Sequence, residues 1–277
     1  MLVTGATDGL GRATALALAG SGVTLHLHGR DPGKLERVRD EVARETRETA
    51  PVVHLADLAS LAEVRQLAAS VEERTQRLDV LVNNAGVGPS VGRRERLESA
   101  DGHELHLAVN YLAPFLLTLR LLPLLRRSAP ARVVNVVSSS QAPLDLDDLE
   151  LARDYDARRA YARSKLAGVL FTFELAERLR AGGIGELTAN ALHPATRMRT
   201  KLARIPFWRR GSSVEEGVTA LVRLVLDPSL AGVSGRYFER GTDAVPHRQA
   251  YDPVCRRLLW ERSEALAGER FFRSGDG

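Results

Sequence analysis

The sequence predicts an α/β fold: a doubly wound parallel sheet of about seven strands with helices on both faces. Three observations lead there. Apolar runs of strand length alternate with helical stretches along the chain, as a helix-covered parallel sheet requires. The first apolar stub runs into a glycine-rich turn and then into helix-forming sequence. No repeat, low-complexity tract or linker interrupts the 277 residues, a normal size for one large domain with ample core. Residues 1–277 are therefore expected to form a single domain.

The elements follow in order. A short strand near 2–4 leads into Gly5-Ala6-Thr7-Asp8-Gly9-Leu10-Gly11, and Arg12 to Ala19 has helix-forming composition ending at Gly20. Strand, glycine turn and helix together make a phosphate cradle, because glycines admit the backbone to a pyrophosphate and a helix start offers unpaired N–H groups. The spacing Gly-x-x-x-Gly-x-Gly is not the generic Gly-x-Gly-x-x-Gly, and no Lys-Ser or Lys-Thr makes it a P-loop. A merely tight turn is the plainer alternative. A second strand near 23–28 precedes Gly29-Arg30 and a helical stretch, Lys34 to Arg47, whose arginines alternate with glutamates as on a solvated face. A third strand lies near 51–55, and Ser60-x-x-Glu63 reads as a capping box. A fourth, near 79–83, ends in Asn83-Asn84-Ala85-Gly86.

The most apolar stretch, Leu112 to Leu125, is broken by Pro114, Thr118, Arg120 and Pro123. It reads as too interrupted to span a bilayer, and as a helix buried against the sheet or a sister subunit. A buried strand near 132–138 runs into Ser138-Ser139-Ser140. The helix carrying Tyr161 and Lys165 is expected to end at Gly182-Gly183. Strands near 187–192 and 236–238 follow, with a second capping box, Ser213-x-x-Glu216, between them. The amphipathic stretch Pro253 to Leu266 packs last, with Tyr251 and Trp260 assigned to the core.

Composition narrows the function classes. A formal charge of +4 and 44% hydrophobic residues describe a mildly basic globular protein. No basic strip interleaved with exposed aromatics points to nucleic acid. The single Cys255 forbids an internal disulfide and fits a reducing compartment. The cradle begins at Thr4, so no signal peptide is expected, and the location expected is cytoplasmic. No metal-ligand cluster is evident.

One pair of residues carries the chemistry. The chain has three lysines (Lys34, Lys165, Lys201) among 39 basic side chains, so a lysine four residues after Tyr161 is a chemical choice. An ammonium is a compact point charge that a guanidinium cannot imitate, and residues four apart share a helix face. A free phenol ionises near pH ~10. A cation about 4 Å away, at an effective dielectric near 20, favours the phenolate by roughly 4 kcal/mol. That brings ionisation toward neutrality, where a general acid/base works best. Taken alone, Tyr-x-x-x-Lys recurs by chance, as a core tyrosine before a surface lysine.

Together, Thr4-Gly5-x-x-x-Gly9-x-Gly11, Asn83-Asn84-Ala85-Gly86, Asn110, a serine near 138 and Tyr161-x-x-x-Lys165 closely resemble the short-chain dehydrogenase/reductase family. The phrases around Asp101 to Phe115 and Ser164 to Ala167 look most like its retinol-dehydrogenase-like branch. The resemblance implies a Rossmann-type domain binding a nicotinamide dinucleotide, and a homodimer or homotetramer through helices near 103–127 and 156–181. It implies Tyr161 as proton donor and acceptor, and Lys165 lowering its pKa while holding the nicotinamide ribose. Ser138 would bond the substrate oxygen, and Asn110 would position a water in a proton relay. The departure at Val137, where a second serine is common, leaves Ser139 and Ser140 as alternatives to Ser138. Gly5, Thr7, Asp8, Gly9, Leu10 and Gly11 would cradle the dinucleotide. Asn83, Ala85 and Gly86 would line it at a central strand end, with Asp57 at the adenine, Leu58 also binding the cofactor, and Pro194 and Thr196 beyond the sixth strand.

An NAD site usually places an acid at the end of the second strand. Here Gly29 stands in that place and Arg30 can pair with a 2′-phosphate, so NADP(H) is the expected cofactor, with NAD(H) the alternative. Asp31 and Asp8 argue the other way. Two segments are expected to shape the substrate pocket: Gln141 to Arg159, and residues 195–212, where Arg197 to Arg210 reads as a lid. Ala195 departs from the family's usual Pro-Gly, and His193 reads as a structural strand-end residue. The reaction expected is hydride transfer between nicotinamide and an apolar carbonyl or alcohol. A catalytically idle NADP(H)-binding sensor and a sugar-nucleotide epimerase are the competing readings.

Overall fold

A computed structural model describes residues 1–46, 50–195 and 213–271. Among the described residues, eight strands form one sheet: β1 (Leu2–Val3), β2 (His26–Gly29), β3 (Val52–Leu55), β4 (Val80–Asn83), β5 (Ala131–Val136), β6 (Leu187–His193), β7 (Arg236–Glu239) and β8 (Thr242–Ala244). Their order is β3-β2-β1-β4-β5-β6-β7-β8, parallel throughout except for the antiparallel β7–β8 pair. The strand order reverses between β1 and β4, which opens a crevice beyond their carboxyl ends. β8 is the strand the sequence reading lacked. β2 begins at His26 rather than near 23.

Helices α1 (Gly9–Ala19), α2 (Pro32–Glu45) and α7 (Val214–Leu226) cover one face of the sheet, and α3 (Leu61–Arg74), α5 (Ala113–Arg127), α6 (Ala157–Ala181) and α8 (Pro253–Ala267) cover the other. Strands covered on both sides are buried on both sides, which is why β4 reads as a near-continuous apolar run and why β6 is buried throughout despite Thr188, Asn190 and His193. On the α5 face, Trp260 packs its ring 5.1 Å from Phe115 and 5.8 Å from Phe171, with Arg178 over it at 4.4 Å. Trp260 is core as expected. Tyr251 is not: it is 52% exposed, its ring only touching Phe173 from outside.

The apolar stretch around Leu112 needs a second correction. A three-residue helix, α4 (Leu105–Leu107), runs through a π-helical turn, Ala108–Leu112, into α5, so the helical path is continuous. Leu105–Arg127 is long and apolar enough by composition to cross a membrane, the prolines notwithstanding. Its most apolar window is 89% buried inside the protein. Pro114 sits in the first turn of α5, where its missing N–H costs little. The apolar face is used against α3 and the sheet.

Helix ends follow the sequence signals in part. The Ser60 and Ser213 hydroxyls accept the Glu63 and Glu216 amides at 3.3 and 3.2 Å. The Glu63 carboxylate does not complete the capping box but takes the Asp57 N–H at 2.7 Å. Asp156 caps α6 through the Arg159 amide, and α6 ends at Gly182 with Gly183 at φ +71°.

Candidate active site

The glycine turn meets the end of β4 at close range. Gly5 has φ +66°, and a Cβ there would lie 2.8 Å from the Ala85 Cα; a Cβ on Gly11 would lie 2.3 Å from the Gly5 carbonyl oxygen. Neither position accepts a side chain, so the backbone at the start of α1 is bare toward the crevice. This bare cradle at a helix start fits a dinucleotide pyrophosphate. Thr4 and Asn84 lock it: the Thr4 hydroxyl accepts the Asn84 and Ala85 amides at 2.9 and 3.1 Å, and the Asn84 amide donates to the Thr4 carbonyl at 2.8 Å. Neither had been given a role from the sequence, although both stand inside the quoted motifs.

The cofactor-side residues divide into crevice and interior. The Leu10 and Leu58 side chains are buried in the two cores, so only their backbones can meet a ligand. Asn83 departs further from expectation. Its side chain is 3% exposed and donates to Thr118 at 3.0 Å and Asn135 at 2.9 Å, tying β4 to α5 and β5. Asp57 accepts the Ala59 amide at 3.0 Å just beyond β3, beside the glycine-turn half of the crevice. Asp8 caps α1, its carboxylate accepting the Gly9 amide at 2.8 Å. Gly9 itself has φ +52°. Gly29 lies under Thr7, whose Cγ2 would be 2.3 Å from a Cβ at position 29. Arg30 is exposed. Asp31 caps α2, accepting the Lys34 amide at 3.0 Å with the Lys34 ammonium at 3.7 Å. Pro194 is buried after β6; Thr196 and the expected lid, Arg197 to Arg210, lie outside the described residues.

At the other end, β5 and α6 bring Ser138, Tyr161 and Lys165 together. Tyr161 and Lys165 share a face of α6, with the ammonium 5.9 Å from the phenol ring centre. Burial pushes the Tyr161 hydroxyl above its ordinary pKa, and a hydrogen bond with Ser138 works against that rise. The expected tuning by Lys165 is not built into this arrangement. Its Nζ donates to the Val136 carbonyl at 3.1 Å, and burial lowers its own pKa to about 8. Desolvation dominates both groups, the one term the sequence argument left out. Ser138 is 9% exposed, and its oxygen accepts the Ser140 amide at 3.1 Å, which turns the chain out of β5.

Asn110 sits in the π-helical turn. Its Oδ1 accepts the Val87 amide at 2.8 Å, and its Nδ2 donates to the Val87 carbonyl at 3.1 Å and the Ser164 hydroxyl at 3.0 Å. A Cβ on Gly86 would be 2.9 Å from Asn110 Oδ1 and 3.5 Å from Lys165 Nζ, so these three residues adjoin. Both N–H donors of Asn110 serve the protein, leaving its oxygen as the side-chain atom open to a further partner. The Gln141 to Arg159 segment is anchored from the C-terminal side. Gln141 Oε1 accepts the His247 amide at 2.7 Å, and Gln249 exchanges hydrogen bonds with the Leu144 backbone at 2.7 and 3.0 Å. His193, at the end of β6, is buried, and burial holds its imidazole below the ordinary pKa.

The family model for short chain dehydrogenases matches residues 1–204. The chain belongs to that family. It is 38% identical to human retinol dehydrogenase 13 across 97% of this chain and 84% of the relative, which puts it in the retinol-dehydrogenase-like branch. An uncharacterized protein of known structure from Mycobacterium paratuberculosis is 31% identical, with a TM-score of 0.77 over 98% of this chain and 94% of the other. The Pseudomonas aeruginosa RhlG/NADP active-site complex is 28% identical, with a TM-score of 0.68 over 86% and 93%. The protein is thus an NAD(P)-dependent oxidoreductase acting on alcohol and carbonyl groups, not an idle cofactor-binding scaffold.

Proposed function

We propose that the chain transfers a hydride between NADP(H) and an apolar carbonyl or alcohol compound, with Tyr161 as general acid and base. When bound, the nicotinamide supplies or takes the hydride at its C4. Held by Ser138, the substrate oxygen would lie against the Tyr161 hydroxyl, which gives it a proton in reduction and removes one in oxidation. Lys165 would hold the nicotinamide ribose, and Asn110 would join the proton path to solvent. The single observation that carries this reading is the convergence of Ser138, Tyr161 and Lys165 where β5 ends against α6. Tyr161→Phe tests it. Turnover of NADPH with a panel of apolar aldehydes and ketones should fall by about 100-fold or more, the usual contribution of a general acid. NADPH should still bind, and retained turnover would sink the assignment.

NADP(H) preference draws on one steric fact, one hydrogen bond and one electrostatic fact. Thr7 crowds the space over Gly29 at the end of β2, where an acidic side chain would stand, and Asp31 is spent on the α2 cap. A cleft of about 150 Å³ beside Thr7 and Asp8 presents Arg12, Lys34 and Arg37, with Glu41 paired to Arg12 at 2.7 Å. The RhlG/NADP complex is a further support. Arg30→Ala should raise the Michaelis constant for NADPH by about tenfold, the weight of one charge-assisted bond, and leave that for NADH unchanged. A wild-type constant lower for NADH than for NADPH would overturn the preference.

Similarity to retinol dehydrogenase 13 supports an apolar substrate, and retinal belongs in the panel. The same reading has the protein in the cytoplasm as a homodimer or homotetramer through α5 and α6. The exposed Arg120, Pro123, Arg126 and Arg127 of α5 are what such a contact would cover. Cell fractionation and light scattering test these two points.

A further inference from the structure

His28, on the second strand, is buried to 2% exposure with both ring nitrogens engaged. Nδ1 accepts the Gly5 amide at 3.2 Å, and Nε2 lies 3.0 Å from the Ala56 carbonyl. An amide N–H only donates and a carbonyl only accepts, so both bonds form only on a neutral ring with its proton on Nε2. The backbone of the same residue takes the next amide of the turn, Ala6 N–H to His28 O at 2.8 Å. Ala56 N–H in turn donates to the Gly29 carbonyl at 3.2 Å.

These contacts span two parts of the crevice that do not touch directly. The glycine turn leaves β1, and the Ala56-Asp57-Leu58 segment leaves β3; β2 separates the two strands. A residue on β2 whose side chain reaches both sides can fix their spacing. Gly5 has little alternative: its φ is +66°, and a Cβ there would come within 2.8 Å of the Ala85 Cα, so the turn is packed against the segment after β4 as well. Without the ring, Gly5 N–H would be left part-buried without this acceptor.

We infer that His28 is a positioning residue for dinucleotide binding, its neutral imidazole setting the distance between the pyrophosphate cradle and the Asp57 segment. This rests on the cofactor-side assignment proposed above for Gly5 to Gly11 and Asp57. The ring touches no reacting atom, so it acts on affinity and not on the chemical step.

Three substitutions separate this role from general support of the fold. His28→Asn keeps an acceptor near the Nδ1 position but cannot reach Ala56. His28→Gln carries a donor toward the Nε2 position but removes the acceptor for Gly5. His28→Leu removes both. NADPH dissociation constants, thermal midpoints and kcat at saturating NADPH would be measured for all three. Leucine should weaken NADPH by about tenfold or more, as loss of buried hydrogen bonds implies. Asn and Gln should each recover part of that, with kcat within about twofold of wild type.

Binding within about twofold for all three variants would overturn the role. So would weakening that follows the thermal midpoint alone, with Asn and Gln no better than Leu. Should none of the variants fold, the wild type decides through its imidazole nitrogen resonances. A neutral Nε2–H ring that responds to added NADPH supports the role, and a ring indifferent to NADPH removes it. A wild type that binds neither NADPH nor NADH sinks the cofactor assignment itself; a bound dinucleotide insensitive to residue 28 sinks only this inference.

Discussion

At the glycine turn, polar groups are answered by neutral partners: Gly5 and Ala6 by His28, Asn84 and Ala85 by Thr4. At the proposed reacting corner, about the same depth of burial gives the opposite result. Lys165 is 6% exposed with the Val136 carbonyl as its hydrogen-bond acceptor, and Tyr161 is driven away from ionisation. The first arrangement costs little and preorganises a binding surface. The second holds two titratable groups out of their comfortable states, as reactive sites do when stability is given up for chemistry.

The largest expected effect comes from Lys165→Met, which should reduce kcat by about 100-fold or more yet stabilise the fold. The folded lysine loses its proton near 8 and the unfolded one near 10.5, so the unfolded chain binds more protons between those values. Wild-type stability should therefore rise as pH climbs from about 8 to 10.5, and the methionine variant should not show that rise. At pH 7 the variant gains at most about 3 kcal/mol, less whatever the Val136 bond contributes. Urea unfolding against pH measures this, and a destabilised variant at pH 7 would break the contrast.

Gly11→Ala attacks the other region. Its Cβ would meet backbone at 2.3 Å and the Asn84 amide at 2.5 Å, so the turn must shift. A stability loss of about 1–3 kcal/mol is expected, with NADPH affinity lowered by about tenfold or more, read by calorimetry.

Acid should expose a weakness in the neutral region. His26 and His28 have pKa values lowered to about 4 and His54 to about 3, burial being the main cause in each. Unfolded histidines bind protons near pH ~6.5, so stability is full above that value and is lost as pH falls toward about 4. His26 and His54 are bonded at 2.9 Å, and His26→Phe should flatten the slope of unfolding free energy against pH there. Tyr251→Ser, outside both regions, should change stability by no more than about 0.5 kcal/mol and leave kinetics untouched.

What could be read in advance follows from how local each signal is. The parallel strands announced themselves because burial on both faces leaves unbroken apolar runs, as in Val80 to Val82. β8 did not, since Thr242-Asp243-Ala244 is short, polar and outward. Tyr161 and Lys165 share a helix face by spacing alone. The partners of Asn83, His28 and Thr4 lie 23 to 81 residues away, across strands whose register no linear pattern reveals. The direction of the Tyr161 shift was misread for a related reason: spacing reports neighbours, whereas desolvation reports everything packed around them.

The hairpin ending the sheet has a consequence for how this enzyme can diversify. After β8 the chain delivers His247 and Gln249 to Gln141 and Leu144, at the segment between Ser138 and Tyr161. The turn at Arg240-Gly241, both residues at positive φ, joins two strands at the rim and meets the parallel ladder at its last bond, Arg240 N–H to the His193 carbonyl at 2.9 Å. Lengthening it by one residue would slacken the hold on the Gln141 to Arg159 segment, the expected pocket wall, while the inner strands stay paired. Variation in what the crevice admits would thus have a place to accumulate far along the sequence from the proposed reacting groups.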